Sequence, residues 1–238
     1  MPTEGGRMRY LLLLIMIAVV AACSDQAPVS APPAAPVSRP SLPPIVHYHQ
    51  VVVIGDSYTE GSDEGGQRGH GWPALVVADL RTRGVLVRPV IAAEGSAGYV
   101  ARSWRNETFG DIARRSVAPD TELVVFFGSG NDVSFPPESV GTGALAALTS
   151  VKAKAPNAKV IVVGPVWPGP NAPEAFLNVR NAVRASAQTA GVVFVDPIGE
   201  GWLADTPELI GADQFHPNDE GHKYLAARIA PLIQNALK

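Results

Sequence analysis

From Val51 onward, short runs of β-branched residues alternate with longer segments whose apolar positions recur at helical spacing. Five runs read as strands, at 51–54, 85–91, 123–127, 160–163 and 192–195. Each is apolar almost throughout, the pattern of a strand covered on both faces. The segments 72–83, 139–154, 174–190 and 218–237 read as helices. Gly84 and Gly191 stand where two of them should stop. Pro231 is expected to kink or divide the last. Strand–helix alternation at this spacing predicts a parallel sheet with helices on both sides, an α/β fold in three α/β/α layers with five strands. No internal repeat is visible.

The first 44 residues break this pattern. Arg7 and Arg9 precede an unbroken apolar run at 11–20, and Val20-Ala21-Ala22 lead with small residues into Cys23, the chain's single cysteine. That is the layout of a secretory signal and its cleavage site. It resembles the bacterial lipobox, in which the cysteine is diacylated and becomes the mature N-terminus. The apolar stretch is shorter than the roughly 20 residues a spanning helix needs. Residues 24–44 hold seven of the 22 prolines among Ala, Ser and Val. Proline fixes φ and removes donors, so this segment favours extended polyproline II and reads as a tether of up to roughly 60 Å. The expected organisation is a signal peptide at 1–22, a lipidated cysteine and tether at 23–44, and one catalytic domain at 45–238.

Composition narrows the function. Hydrophobic residues make up 46% and charged residues 17%, a globular balance without the charge excess of a disordered chain. The formal net charge is −3 with no basic cluster, which sets nucleic acid aside as a partner. With one cysteine, no intrachain disulfide can form.

Polar and glycine-rich residues gather just after the predicted strands, where a doubly wound sheet places its sites. The first strand runs into Gly55-Asp56-Ser57-Tyr58-Thr59, and the second into Ala93-Glu94-Gly95-Ser96-Ala97-Gly98. The third runs into Gly128-Ser129-Gly130-Asn131-Asp132. Near the C-terminus come Asp213-Gln214-Phe215-His216-Pro217-Asn218 and Gly221-His222. Singly, each is weak: Gly-Asp-Ser is usually only a turn, and Asn-Asp commonly caps a helix. Their order, each after the expected element, is what carries weight.

Together the four segments resemble blocks I, II, III and V of the SGNH (GDSL-type) hydrolases, over about residues 50–235. The resemblance implies a flavodoxin-like fold and a serine esterase, lipase or deacetylase. Block I is Gly55-Asp56-Ser57, with Tyr58 in place of the usual leucine. Block V is Asp213-x-x-His216. Block III departs slightly, with its glycine displaced to position 128. Block II rests on one glycine, for which Gly95 fits best and Gly98 is the alternative. The implied nucleophile is Ser57, the base His216 and its orienting partner Asp213. Serine is a weak nucleophile without an adjacent base, and histidine exchanges protons near neutral pH. The implied oxyanion donors are the N–H groups of Ser57 and Gly95 and the amide of Asn131.

Other residues have plainer expectations. Asp56 and Asp132 should hold their turns, His222 should pack or face solvent, and Trp72 and Trp202 should be core. His47 and His49 border the tether and look incidental. No metal or cofactor is expected, since Asp213, His216 and His70 lack convincing ligand spacing. Tyr58 and Trp167 are expected to line the substrate pocket, and the 60–71 loop to shape its mouth. The expected function is hydrolysis of a carboxylic ester from a small molecule, lipid or glycan, by a monomer lipid-anchored at the cell envelope. Acyl transfer to an envelope glycan or glycolipid hydroxyl uses the same groups and stays open. A catalytically dead surface-binding lipoprotein is disfavoured, because all four functional side chains are present.

Overall fold

The computed structural model describes residues 46–128 and 130–238. The expected signal peptide, Cys23 and tether lie outside them. Five strands form one sheet: β1 (His49–Gly55), β2 (Val87–Ala93), β3 (Leu123–Phe127), β4 (Lys159–Val163) and β5 (Val193–Val195). The order is β2-β1-β3-β4-β5 and every pairing is parallel. After β1 the chain crosses to β2 on one side, then returns to place β3 on the other. The gap between the carboxyl ends of β1 and β3 is therefore the topological switch point.

The alternation of side chains along each strand assembles two cores. Val51 and Val53 pack with Trp72, Val76 and Leu80 of α2 (Trp72–Thr82) and with Leu225, Ile229 and Ile233 of α6 (Asp219–Ala236). Val52 and Ile54 face the opposite layer of α3 (Phe109–Ser116), α4 (Pro137–Lys154) and α5 (Glu174–Ala190). Completing the helices is a single turn, α1 (Ser57–Glu60), directly after β1. Trp72 and Trp202 are buried as expected.

Three expectations need correction. The second strand begins at Val87, because Val85 N–H donates to Leu80 O in the closure of α2. It is also an edge strand, with Val90 and Ile91 exposed, not one covered on both faces. Pro89 was the available clue, since proline within a sheet is confined to edges. Pro231 does not divide α6, which runs unbroken through it. Pro231 and Ala227, four residues before it, both face solvent, so water can satisfy the carbonyl left without a donor. The third correction is an element the pattern missed, α3, whose sequence is too short and polar to show a long periodicity. Its signal is a capping box: Thr108 Oγ1 accepts from Asp111 N, and Asp111 Oδ2 accepts from Thr108 N. Phe109, Ile112 and Ala113 then form its buried face at i, i+3 and i+4.

Candidate active site

Ser57 is the first residue of α1, so the end of β1 delivers it to the switch point. Asp56 caps that turn, its Oδ1 accepting from Tyr58 N at 3.0 Å. From the far end of the sequence, His216 meets the serine, with Nε2 at 2.9 Å from Ser57 Oγ. His216 Nδ1 lies 2.5 Å from Asp213 Oδ2. The other Asp213 oxygen, Oδ1, accepts the N–H groups of Phe215 and His216, each at 2.9 Å. One carboxylate thus shapes the loop and holds the ring. Burial opposes its ionisation, but the His216 ring and the two N–H groups outweigh this and hold Asp213 below the usual carboxylate range. An ionised carboxylate only accepts, so Nδ1 carries the proton and Nε2 is left as acceptor for the serine hydroxyl.

The loop that presents His216 is fastened at several points. Gly211 N–H donates to His216 O at 2.8 Å, and Ile210 bridges Pro217. Gln214 adopts φ 59°, a left-handed conformation that costs a non-glycine residue on the order of 1 kcal/mol and persists only when its surroundings enforce it. Tyr58 supplies another tie: its hydroxyl donates to Phe215 O at 2.5 Å. Tyr58 is buried, and burial pushes its phenol far above its ordinary value, so it remains a neutral donor. Tyr58 lines the crevice beside Ser57, as expected of it, and its hydroxyl has a further task that its position in the sequence did not suggest. It joins the Ser57 turn to the His216 loop.

Asn131 reaches the same point from the end of β3. Gly128, at φ 133°, makes the turn possible, and a Cβ there would fall 2.3 Å from Asp56 Oδ2. The displaced glycine of block III is a steric requirement of this turn. Asn131 Nδ2 donates to Ala97 O at 2.9 Å and, less closely, to Asp56 Oδ2 at 3.3 Å. Asp132 is fully buried and accepts N–H bonds from Tyr99, Val100 and Ala101, so both aspartates hold turns as expected.

The same contacts sort the two glycines of the second segment. A Cβ at Gly98 would lie 2.5 Å from Asp132 Oδ1, so Gly98 is needed to seat its loop on that carboxylate. Gly95 has no such crowding, but its N–H donates to Glu60 Oε2 at 2.6 Å. The donor expected at Gly95 is occupied by a side chain.

Around Ser57 the crevice is tight, about 10 Å³, between Gly130, Asn131, Val166 and Phe215. Trp167 is half-buried and packs on Phe176 at 4.8 Å between centroids, and Phe176 in turn lies 3.4 Å from the Cβ position of Gly130. Trp167 thus stands one residue back from the crevice wall. A larger cleft of about 530 Å³ opens beside Glu60, lined by Gly66, Arg68 and Gly71 of the loop after α1 and by Pro73, Val77 and Ile91. His222 is buried against Gly66 and accepts from Trp72 N at 3.3 Å; burial pushes its imidazole down to about 4. It packs, neutral, beneath that loop.

A parallel sheet of this order, with serine, histidine and aspartate linked at its switch point, defines a serine ester hydrolase of the SGNH fold. The sequence profile of the GDSL-like lipase/acylhydrolase family matches residues 53–224, and the chain belongs to that family. A GDSL lipase of Mycobacterium tuberculosis is 46% identical over 190 residues, covering 79% of this chain and 82% of the relative. The crystal structure of TesA superposes with a TM-score of 0.66 at 22% identity, over 79% of this chain and 99% of that one. A carbohydrate esterase family 3 structure from Talaromyces cellulolyticus gives 0.61 at 22% identity, over 79% and 98%. At these identities the two structures speak to fold alone.

Proposed function

We propose that the protein hydrolyses carboxylic esters of small acyl groups through an acyl-serine intermediate on Ser57, while lipid-anchored at the cell envelope through Cys23. The observation that carries the chemistry is the relay from Asp213 Oδ2 to His216 Nδ1 at 2.5 Å and from His216 Nε2 to Ser57 Oγ at 2.9 Å. Ser57 Oγ attacks the ester carbonyl as its proton passes to His216 Nε2. The tetrahedral oxyanion collapses, and His216 returns the proton to the departing alcohol. Water then repeats the sequence on the acyl-serine and releases the acid. The tight crevice at Ser57 supports an acyl group as small as acetyl. Assay of p-nitrophenyl esters of rising chain length tests that preference. A rate that climbs from acetate to decanoate would overturn it.

For the oxyanion, Ser57 N–H opens α1 and has no partner within the helix. Asn131 contributes through the proton now directed at Asp56, since that 3.3 Å contact is the weaker of its two. Gly95 joins them only when Glu60, an exposed side chain, swings away. Asn131→Ala is expected to lower kcat by about 10²–10³, or roughly 3–4 kcal/mol, with a smaller change in KM. Steady-state kinetics beside a melting curve checks this. A loss below about threefold in a folded variant removes Asn131 from transition-state stabilisation.

The anchoring reading rests on the small residues before Cys23 and on the proline-rich stretch after it. Cys23→Ala should prevent diacylation and either release the protein or leave its precursor unprocessed. Fractionation and intact-mass measurement decide. Membrane partition and mature mass equal to the unaltered protein's would overturn the anchor.

A further inference from the structure

Two histidines at the start of the domain take no part in the ester chemistry. His47 and His49 stand two residues apart as the chain enters β1, a spacing that sends both side chains of an extended backbone to one face. The parallel register sets Val51 against Leu123, which brings Glu122, just before β3, alongside Gln50. Glu122 N–H donates to Gln50 O at 2.9 Å, and Gln50 N–H donates to Glu122 Oε1 at 3.1 Å. The Glu122 carboxylate also reaches both rings. His49 Nδ1 is 2.7 Å from Oε2, and His47 Nε2 is 3.2 Å from Oε1. The rings meet edge to face with centroids 4.5 Å apart. One ligand atom from each of the three residues lies within 4.8 Å of the others. The histidines that look incidental in sequence are thus gathered on one carboxylate.

Two accounts of this cluster compete. As a solvated ion pair, two imidazolium rings would crowd one carboxylate, and such half-exposed pairs contribute little. As a donor set, two imidazoles and a carboxylate are the ligands of a three-coordinate protein site with an open fourth position.

We infer that His47, His49 and Glu122 bind a divalent transition-metal ion of the zinc type. A tetrahedral ion with bonds of about 2 Å spaces its donors about 3.3 Å apart. On the shared Glu122 Oε2, His47 Nε2 at 3.3 Å already matches that spacing and His49 Nδ1 at 2.7 Å lies inside it. The widest gap closes by rotation of His47, whose side chain is 65% exposed. Imidazole donors select against Mg²⁺ and Ca²⁺, which take oxygen ligands. The cluster lies at the amino ends of β1 and β3, whereas Ser57 and Asn131 follow their carboxyl ends. The ion would therefore act on the fold and not on the ester, clipping the chain where it enters the domain to a residue 75 positions away.

The test titrates the chelator-stripped full-length protein with ZnCl₂ by calorimetry and follows its melting. One equivalent should bind, and Zn²⁺ at about a hundred times its Kd should raise Tm by about 5–10 °C, with no shift from MgCl₂. His49→Asn and Glu122→Gln should each weaken Zn²⁺ binding about tenfold or more, while metal-free esterase activity, which reports folding, stays unchanged. His47→Gln, at the most exposed of the three side chains, supplies the same comparison if either of those variants folds poorly. Absence of binding to the unaltered protein overturns the site. So does undiminished affinity in the folded variants, which would place the ion elsewhere, as at Cys23, at His70 and Asp219, whose Nδ1 and Oδ2 stand 2.9 Å apart, or at His216–Asp213.

Discussion

Ser57→Ala should lower kcat by about 10⁴–10⁶, and His216→Ala by a similar factor, with the double variant scarcely worse than either. The non-additivity follows from the 2.9 Å contact between Ser57 Oγ and His216 Nε2. Without the base, the hydroxyl keeps its proton and hardly attacks. Without the hydroxyl, the base has nothing to activate. What remains is whatever Asn131 and the backbone N–H groups do for water-driven hydrolysis. Neither substitution should unfold the protein, because Ser57 and His216 are both only half-buried and contribute little to either core. A serine-directed fluorophosphonate should add one label to the unaltered protein and none to Ser57→Ala. Folded Ser57→Ala that still takes the label, or still cleaves an activated ester at near the original rate, would show that a different residue is the nucleophile.

The sequence was most legible where one local rule acts alone. Strands β1, β3 and β4 are continuous apolar runs because helices cover both their faces, and α5 ends at Gly191 because its left-handed φ of 65° favours glycine. Ser57, Asn131, Asp213 and His216 could be nominated because each follows an element whose end is readable. What could not be read depends on partners distant in sequence. Tyr58 lines the Ser57 crevice as its position suggests, but the tie of its hydroxyl to the carbonyl of Phe215, 157 residues away, could not be read. Gly95 looks like a free donor, yet Glu60 occupies it. Gly98 is explained only by Asp132, which sits after a different strand. The grouping of His47 and His49 with Glu122 is likewise a product of parallel register. Spacing alone shows a pair of histidines and hides the carboxylate between them.

Asp213→Asn should lower kcat by about 10⁴ while leaving Tm near that of the unaltered protein, by analogy with other serine triads. The substitution is isosteric, and an asparagine oxygen at the Oδ1 position can still accept the N–H groups of Phe215 and His216, so the loop keeps its shape. The change falls on the other atom. Where Oδ2 accepted the Nδ1 proton at 2.5 Å, an amide nitrogen now donates, and the ring satisfies it only by moving its proton to Nε2. A protonated Nε2 points a donor at Ser57 Oγ and cannot take the serine proton. Ring contacts do not rescue this, because Phe215 at 5.1 Å and Tyr58 at 5.9 Å between centroids fix where the imidazole lies but not which nitrogen carries hydrogen. Asp213→Ala should be as slow and also less stable, since it releases both backbone N–H groups. KM for a small ester should change little in either variant, because Asp213 is positioned to act on His216 and not on substrate. Steady-state kinetics and calorimetric melting of the two variants, side by side, separate the tautomer effect from the loop effect. An Asp213→Asn enzyme within tenfold of the original kcat would mean that the ring is held in its productive tautomer by something other than this carboxylate.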